Sequence, residues 1–275
     1  MNGTLESSAK PFLKWAGGKH RLVERISSAL PPGRRLLEPF AGSASVFLGT
    51  NYGSYVVADV NKDLIDVFSA AKSATAELLS ELQALFVPEN NVEEAFYDLR
   101  AEFNERDASV RKSAIFVYLN RHCFNGLCRY NKAGKFNVPF GRYARPIAPV
   151  EEILRFSRKA KSATFLACDF RRIFEMAERG DVIYCDPPYV PLSATANFTS
   201  YSAGDFGPEL QRELASVARS AAARGIPVVI SNHDTPWTRD LYAGAEVSSF
   251  GVQRFISRDT ANRAVAPELL AVFSE

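Results

Sequence analysis

The stretch Asp181-Val182-Ile183-Tyr184-Cys185-Asp186-Pro187-Pro188-Tyr189 decides the fold. Val182-Ile183-Tyr184 is a short apolar run that gives way to Asp186, the pattern of a strand covered on both faces whose C-terminal end carries a polar group. Two consecutive prolines then fix φ and remove two backbone donors, so the strand stops there. The pattern recurs along the chain. Leu36-Leu37 precedes Glu38, Tyr55-Val56-Val57 precedes Asp59, Thr164-Phe165-Leu166 precedes Asp169, and Val228-Val229-Ile230 precedes Asn232. Helical spacing fills the intervals, as from Glu209 to Arg224 with Leu210, Leu214 and Val217 on one side, and Leu269 to Phe273 reads as a closing strand. The layout predicts a doubly wound α/β sheet.

It is interrupted once. From Lys62 to Pro149 no such strand appears, and Leu78–Phe86, Glu93–Asn104 and Ala108–Arg121 have helical spacing instead. Cys123 to Tyr143 follows, rich in Gly, Asn and aromatics, with Lys132-Ala133-Gly134-Lys135 as a hairpin turn. The chain therefore divides into a sheet domain of residues 1–61 and 150–275 and an inserted, mostly helical module of residues 62–149 with a hairpin at about 123–144.

Charge gives that module its character. The formal net charge of the 275 residues is only +2. Yet no acid lies between Asp107 and Glu151, where Arg111, Lys112, Arg121, Arg129, Lys132, Lys135, Arg142 and Arg145 fall. Phe116, Tyr118, Phe124, Tyr130, Phe136, Phe140 and Tyr143 are interleaved with them. Basic side chains meet phosphates and aromatic faces wedge between bases, so this stretch reads as a nucleic-acid surface rather than a solvated basic face.

The apolar fraction of 47% suits a globular protein, and no apolar run approaches the roughly 18 residues of a membrane helix. Met1 to Lys10 is polar and lacks a signal peptide's apolar segment, which predicts a cytoplasmic protein. The four cysteines, Cys123, Cys128, Cys168 and Cys185, form no CxxC pair, and three histidines add little, so no metal site is expected. The thiols read as reduced, small buried hydrophobes.

Asp186-Pro187-Pro188-Tyr189 leaves the Asp186 carboxylate and the Pro187 carbonyl as acceptors at the sheet's edge. The exocyclic amine of a nucleobase is a poor nucleophile, because its lone pair is delocalised into the ring. Two acceptors on its hydrogens draw the nitrogen towards tetrahedral geometry, and Tyr189 offers a stacking face for an extruded base. A second segment, Glu38-Pro39-Phe40-Ala41-Gly42-Ser43-Ala44-Ser45-Val46-Phe47-Leu48, reads as strand, tight turn and helix, with Gly42 allowing close approach of a ligand. Asp59, at the end of the next strand, is placed to accept from ribose hydroxyls. A third, Phe12-Leu13-Lys14-Trp15-Ala16-Gly17-Gly18-Lys19, is not a phosphate loop of the Walker type: Leu13 stands at its first glycine and His20 at its Ser/Thr. Trp15 beside small residues suits a flat cofactor face, or else the core, and Lys19 suits a carboxylate.

Together these segments resemble the Dam group of DNA adenine methyltransferases, which act on GATC. The resemblance spans nearly the whole chain and includes Tyr118-Leu119-Asn120-Arg121, Asn125-Gly126-Leu127-Cys128-Arg129-Tyr130-Asn131, Phe136-Asn137-Val138-Pro139-Phe140-Gly141-Arg142-Tyr143 and Leu192-Ser193-Ala194-Thr195-Ala196-Asn197-Phe198. It implies a Rossmann-like methyltransferase sheet with a DNA-recognition insert, S-adenosylmethionine as cofactor, and methylation of adenine N6 in double-stranded GATC by base flipping. Cofactor contacts fall on Trp15, Ala16, Gly17, Lys19, Phe40, Asp59, Asp169, Phe170 and Asp186. Asp186, Pro187 and Tyr189 hold the target adenine. Arg129 meets a guanine, Leu127 and Pro139 a thymine methyl, and Lys14 and Tyr143 the first G·C pair. Phe124 and Asn125 enter the stack, and Arg100 and Asn131 hold phosphates. A monomer acting on nucleoid DNA is the expectation.

This chain departs from the family's pattern in three places. Phe124 stands where Tyr is common, Asp169 where a small neutral residue occurs, and Arg254–Val265 lacks a denser basic, glycine-containing stretch. The rival readings are a cytosine-N4 or RNA-adenine methyltransferase, which share the amine chemistry, and a catalytically silent DNA-binding factor. The hairpin motifs argue against the first two, and the intact Asp-Pro-Pro-Tyr and cofactor segments against the third.

Overall fold

The computed structural model describes residues 10–189, 206–253 and 265–274. Leu192–Phe198, and all of Arg254–Val265 but its last residue, lie outside the described residues. The strands are β1 (Arg35–Glu38), β2 (Ser54–Asp59), β3 (Ala163–Ala167), β4 (Asp181–Cys185), β5 (Val228–His233), β6 (Glu246–Gln253) and β7 (Val265–Phe273). The helices are α1 (Val23–Ala29), α2 (Ser45–Gly49), α3 (Lys62–Ser73), α4 (Thr75–Leu85), α5 (Glu93–Glu105), α6 (Val110–His122), α7 (Val150–Ala160), α8 (Phe170–Met176), α9 (Pro208–Ala222) and α10 (Pro236–Leu241).

The sheet has seven strands in the order β3-β2-β1-β4-β5-β7-β6. Pairing is parallel for β2–β3, β1–β4 and β4–β5, and antiparallel where β7 meets β5 and β6. This is the doubly wound α/β class that the sequence predicts. The strand order reverses between β1 and β4, the place where such sheets bind ligands at their carboxyl ends.

The two ends of the sheet differ from the sequence reading. Thr164-Phe165-Leu166 reads as a strand covered on both faces, but β3 is an edge strand with Thr164 exposed and Phe165 and Leu166 half-exposed. β6, which no apolar run announces, is the opposite edge. Leu269–Phe273 does close the chain as β7, beginning four residues earlier at Val265.

Packing divides the chain into two compact units, Met1–Ser27 with Ala41–Asn51 and Tyr55–Cys168, and Ser28–Phe40 with Tyr52–Ser54 and Asp169–Glu275. The core of the first is aromatic. Phe156 of α7 meets Phe12, Phe47, Phe68 and Phe165 with ring centroids 5.0 to 5.7 Å apart. Helix α7 reaches it because Ile153, Phe156 and Ala160 share one buried face, while Glu151, Arg155 and Arg158 are exposed. Helices α3 and α6 start at side-chain caps, Asn61 accepting from the Leu64 amide and Ser109 from the Lys112 amide. Because α7 and β3 pack on α3, this division by packing does not follow residues 62–149.

In the second unit, Leu36, Leu37, Val182, Ile183 and Val228 to Ile230 are buried, as are Leu214, Ala215 and Ala218 of α9, which packs on β5 and β7. All four cysteines are free thiols: Cys123 and Cys185 are buried, and Cys128 and Cys168 half-buried. No described helix is long and apolar enough to cross a membrane.

At the start of β4, the side chain of Asp181 is fully buried against Arg35, whose Nε and Nη2 donate at 3.0 and 2.6 Å, and accepts from the Glu178 amide at 2.9 Å. Burial works to raise its pKa, but the Arg35 hydrogen bonds, the Glu178 amide and the charges of Arg35 and Arg34 together hold it below the usual carboxylate range. A depressed folded pKa means that this pair stabilises the fold above the unfolded value of about 3.9, and that the benefit is lost as pH falls through the folded value. Replacing one partner of a buried pair strands the other, and Arg35 retains some solvent. Asp181→Ala is therefore expected to lower unfolding free energy by about 2–3 kcal/mol at pH 7. Urea denaturation checks this: the gap from wild type closes below about pH 4, and a gap under about 1 kcal/mol at pH 7 contradicts it.

Candidate functional site

In the second unit the site grows from the end of β4. The prolines stop the strand, Pro187 is buried, and Asp186 and Tyr189 are half-exposed. Ser231 Oγ, on the neighbouring β5, lies 2.9 Å from Asp186 Oδ1 and 3.0 Å from the Tyr184 hydroxyl. The Tyr189 hydroxyl donates to Glu268 Oε2 of β7 at 3.2 Å, and its ring meets His233 edge-on at 4.8 Å. Burial pushes the pKa of Tyr184 and of Tyr189 well above that of a free phenol, and the nearby Asp186 charge adds to both shifts, so both hydroxyls remain donors. Gln211 of α9 donates to the Pro188 carbonyl at 2.7 Å and accepts from Asn232 at 3.2 Å, which fixes the turn from behind.

In the same unit, Phe40 stacks on Phe170 at 5.7 Å, and Phe206 meets both rings edge-on at 5.3 and 5.7 Å. Asp169 caps α8, accepting from the Arg171 amide at 3.0 Å, and pairs with the Arg171 guanidinium at 3.0 Å.

In the first unit the glycine-rich loop folds over the turn after β1. Asp59 accepts from the Gly42 amide at 3.1 Å and from the Asn61 amide at 2.9 Å. Gly42 has φ of +48°, and a Cβ there would lie 3.0 Å from the Trp15 indole, so only glycine lets the ring lie this close. Trp15 is half-exposed rather than core, Ala16 and Gly17 are exposed, and Lys19 is buried with Nζ donating to the Gly17 carbonyl at 2.8 Å. Burial raises the Asp59 pKa, against the amides of Asn61, Gly42 and Val60 that lower it.

The hairpin of this unit is zipped at two places and pinned from outside. Its two arms share isolated antiparallel bridges, Cys123 with Phe140 and Tyr130 with Phe136. Four backbone bonds cross at these bridges, Phe124 to Pro139, Gly141 to His122, Asn131 to Lys135 and Asn137 to Arg129, and helix α5 adds side-chain bonds: Asn104 brackets Phe136 at 2.7 and 3.1 Å, and Arg100 donates to the Val138 carbonyl at 3.0 Å. The turn is set by Asn131, whose Oδ1 accepts from the amides of Ala133 and Lys135. Arg129 is exposed, with Nε donating to Asn137 Oδ1 at 2.8 Å.

At the hairpin's root, buried Asn120 binds the backbone of Lys14 in both directions at 2.8 Å and the Gly126 carbonyl at 3.1 Å. Lys14 Nζ lies 4.3 Å over the Tyr143 ring, and the Tyr143 hydroxyl accepts from the Asn125 amide at 3.0 Å. Burial and the Arg121 charge lower the Lys14 pKa. Phe124 is 51% exposed, next to Asn125 at φ +55° and Gly126, while Pro139 is exposed and Leu127 half-buried.

The sequence-marked residues thus fall into four groups: Trp15, Gly17, Lys19 and Asp59; Phe40, Asp169 and Phe170; Asp186, Pro187 and Tyr189; and Lys14, Phe124, Asn125 and Tyr143 with the hairpin residues. The basic stretch needs correction in detail. Phe116, Tyr118 and Phe136 are core, Arg111 pairs with Glu81 and Glu102, and Arg142 pairs with Glu93. Sequence reasoning missed Ser231, Glu268, Gln211 and Phe206, and gave no role to Asn120 within the motif Tyr118-Leu119-Asn120-Arg121. Ser231 lay near a signal, one residue before the Asn232 at which the apolar run of β5 gives way. Among the described residues no group of three or more His, Cys, Asp or Glu side chains is placed to hold a metal ion.

The profile of the D12 class N6 adenine-specific DNA methyltransferases matches residues 15–256. A DNA adenine methylase of Vibrio cholerae is 49% identical over 266 residues, covering 96% of each chain. That of Serratia marcescens is 47% identical over 265 residues, covering 96% of this chain and 98% of its own. That of Escherichia coli K12 is 46% identical over 264 residues, covering 96% and 95%. Likeness of this extent over nearly the whole of each protein, joined to a parallel strand ending in Asp-Pro-Pro-Tyr, is decisive: the chain belongs to the D12 class of N6 adenine-specific DNA methyltransferases.

Proposed function

We propose that this DNA adenine methyltransferase transfers the methyl group of S-adenosylmethionine to N6 of the adenine in double-stranded GATC, with the base turned out of the stack. The observation that carries the reading is the Asp186 carboxylate, set at the end of β4 and hydrogen-bonded through Oδ1 to Ser231. Asp186 and the Pro187 carbonyl accept the two N6 hydrogens, which localises the nitrogen lone pair for attack. Tyr189, tethered by Glu268 and His233, stacks on the base.

The residues present fit the cofactor. Gly42 spares the Trp15 indole the Cβ that would crowd it, and Asp59 is a carboxylate under-solvated by burial that accepts from the amides of Gly42, Asn61 and Val60 and keeps acceptor capacity for a ribose hydroxyl. Trp15, Ala16, Gly17, Lys19 and Asp59 of the first unit are assigned to it, with Lys19 towards the methionyl carboxylate. Phe40, Asp169, Phe170 and Asp186 of the second are assigned likewise, the stacked phenyl rings towards the adenosine. Bound S-adenosylmethionine supplies an electrophilic methyl group on a sulfonium centre. The protein's part is to orient and desolvate the attacking amine.

Residues 62–149 are assigned to DNA recognition, and residues 1–61 and 150–275 to catalysis. The exposed fork of Arg129, steadied by Asn137, suits N7 and O6 of a guanine. Leu127 and Pro139 suit a thymine methyl, Lys14 and Tyr143 the first G·C pair, and Phe124 and Asn125 the gap left by the adenine. Arg100 and Asn131 are assigned to phosphates.

DNA from a methylation-deficient host carrying this gene tests the target: it is expected to resist enzymes blocked by adenine methylation within GATC. Full cleavage would sink the GATC assignment, and sequencing of modified bases would separate adenine N6 from cytosine N4. Asp186→Ala is expected to lower kcat by about 10²–10³ or more, the usual loss for a preorganised polar group at a reacting centre. Near-normal turnover would remove Asp186 from the chemistry. Arg129→Ala is expected to relax discrimination at one base pair by about 1–3 kcal/mol, read from kcat/KM on single-substituted duplexes. Equal weakening on every duplex would mark Arg129 as a phosphate contact instead.

A further inference from the structure

We propose that Ser231 is a positioning residue for methyl transfer: its hydroxyl, backed by Tyr184, fixes the rotation of the Asp186 carboxylate. The inference rests on the reading of Asp186 as the acceptor for the adenine amine. An aspartate carboxyl turns about a broad, weakly restrained χ2, so backbone placement alone does not settle where its oxygens point.

The three side chains make a directed chain. Ser231 and Tyr184 are each only 1% exposed. Ser231 Oγ lies 2.9 Å from Asp186 Oδ1 and 3.3 Å from the Cys185 carbonyl, but a serine hydroxyl has one proton. The carboxylate is the closer acceptor and the charged one, so the proton goes to Asp186. The Tyr184 hydroxyl, 3.0 Å from Ser231 Oγ, must then be the donor of that pair. It is a phenol in the interior of the second unit, held protonated by burial. Tyr184 thus donates to Ser231, and Ser231 to Asp186. Anchoring Oδ1 in this way fixes the plane of the carboxylate and with it the direction of the second oxygen.

The positions follow from strand pairing. Parallel β4 and β5 match Tyr184 with Val229 and Cys185 with Ile230, so the next residue of each strand, Asp186 and Ser231, is carried side by side. The hydroxyl orients the acceptor and makes no bond to substrate. Its loss is therefore expected to act on turnover and to leave binding alone.

The test compares Ser231→Ala, Tyr184→Phe and Asp186→Ala for kcat, for KM on a GATC duplex, and for S-adenosylmethionine affinity by calorimetry. Ser231→Ala is expected to lower kcat about tenfold, and Tyr184→Phe about threefold, with both KM values and the calorimetric affinity within about twofold of wild type. If Ser231→Ala retains wild-type kcat while Asp186→Ala is inactive, the inference is overturned and the reading of Asp186 stands. If Asp186→Ala itself turns over normally, that reading falls first. Raised KM values at unchanged kcat would show a role in binding or packing and overturn the inference. Should Ser231→Ala fail to fold, Tyr184→Phe decides, since it removes one hydroxyl and keeps the ring: wild-type kcat there overturns the relay.

Discussion

Cys185 of β4 lies level with Ile230 of β5, and the arrangement of side chains around Asp186 follows from that register. Strand side chains alternate between faces, so a slip of one residue would turn Ser231 away from Asp186 and bring Asn232 level with it. The burial of Val228, Val229 and Ile230 on one strand and of Val182 and Ile183 on the other resists such a slip, because apolar groups on both faces would have to move. At the same place the prolines end the pairing. A rigid apolar body and an abrupt polar end are thus two consequences of one sequence, and the catalytic proposal depends on both.

The first unit relies on a different device, in which polar side chains tie remote backbone segments together. Asn120 binds Lys14, 106 positions away, through both its amide and its carbonyl, and also holds the Gly126 carbonyl. A Cβ at Gly126 would come within 2.5 Å of the Lys14 side chain, so glycine there lets the two segments touch. Asp59 does the same for the turn after β1 through the Gly42 amide. These clamps matter because the hairpin has few backbone bonds of its own. Here α5 and α6 supply rigidity from outside through Arg100, Asn104 and Asn120.

Those differences in construction explain what the sequence discloses. Strands β1, β2, β4 and β5 are legible because coverage on both faces demands unbroken apolar runs. β6 is not, since an edge strand pairs on one side only, and Glu246, Ser248 and Ser249 sit in it exposed. Asp186, Tyr189, Gly42 and Asp59 are legible because each is bound to a local event, the end of a strand or a tight turn. Ser231, Glu268 and Gln211 are not, because what they do depends on register and on which helix covers which strand. Residues far apart in the chain meet there without leaving a pattern in either segment. The interleaved aromatics of the basic stretch mislead for a related reason. A buried ring such as Phe116 and an exposed one such as Phe124 look alike until the helix that carries one of them is packed.

Asp169 shows how a charge at the start of a helix is contained. The position opens α8, where the first amides lack partners inside the helix, and a carboxylate satisfies one of them as well as a small hydroxyl would. The extra negative charge is met by Arg171, which bridges Asp169 to Glu213 of α9 with a guanidinium bonded to both carboxylates. Next to it, Phe170 is buried and stacks on Phe40. The charge at the helix start is thus balanced by an ion pair, and the aromatic surface assigned to the adenosine keeps its apolar character beside it. Since exposed ion pairs of this kind contribute little to stability, the arrangement is better understood as containment of a charge than as reinforcement of the fold.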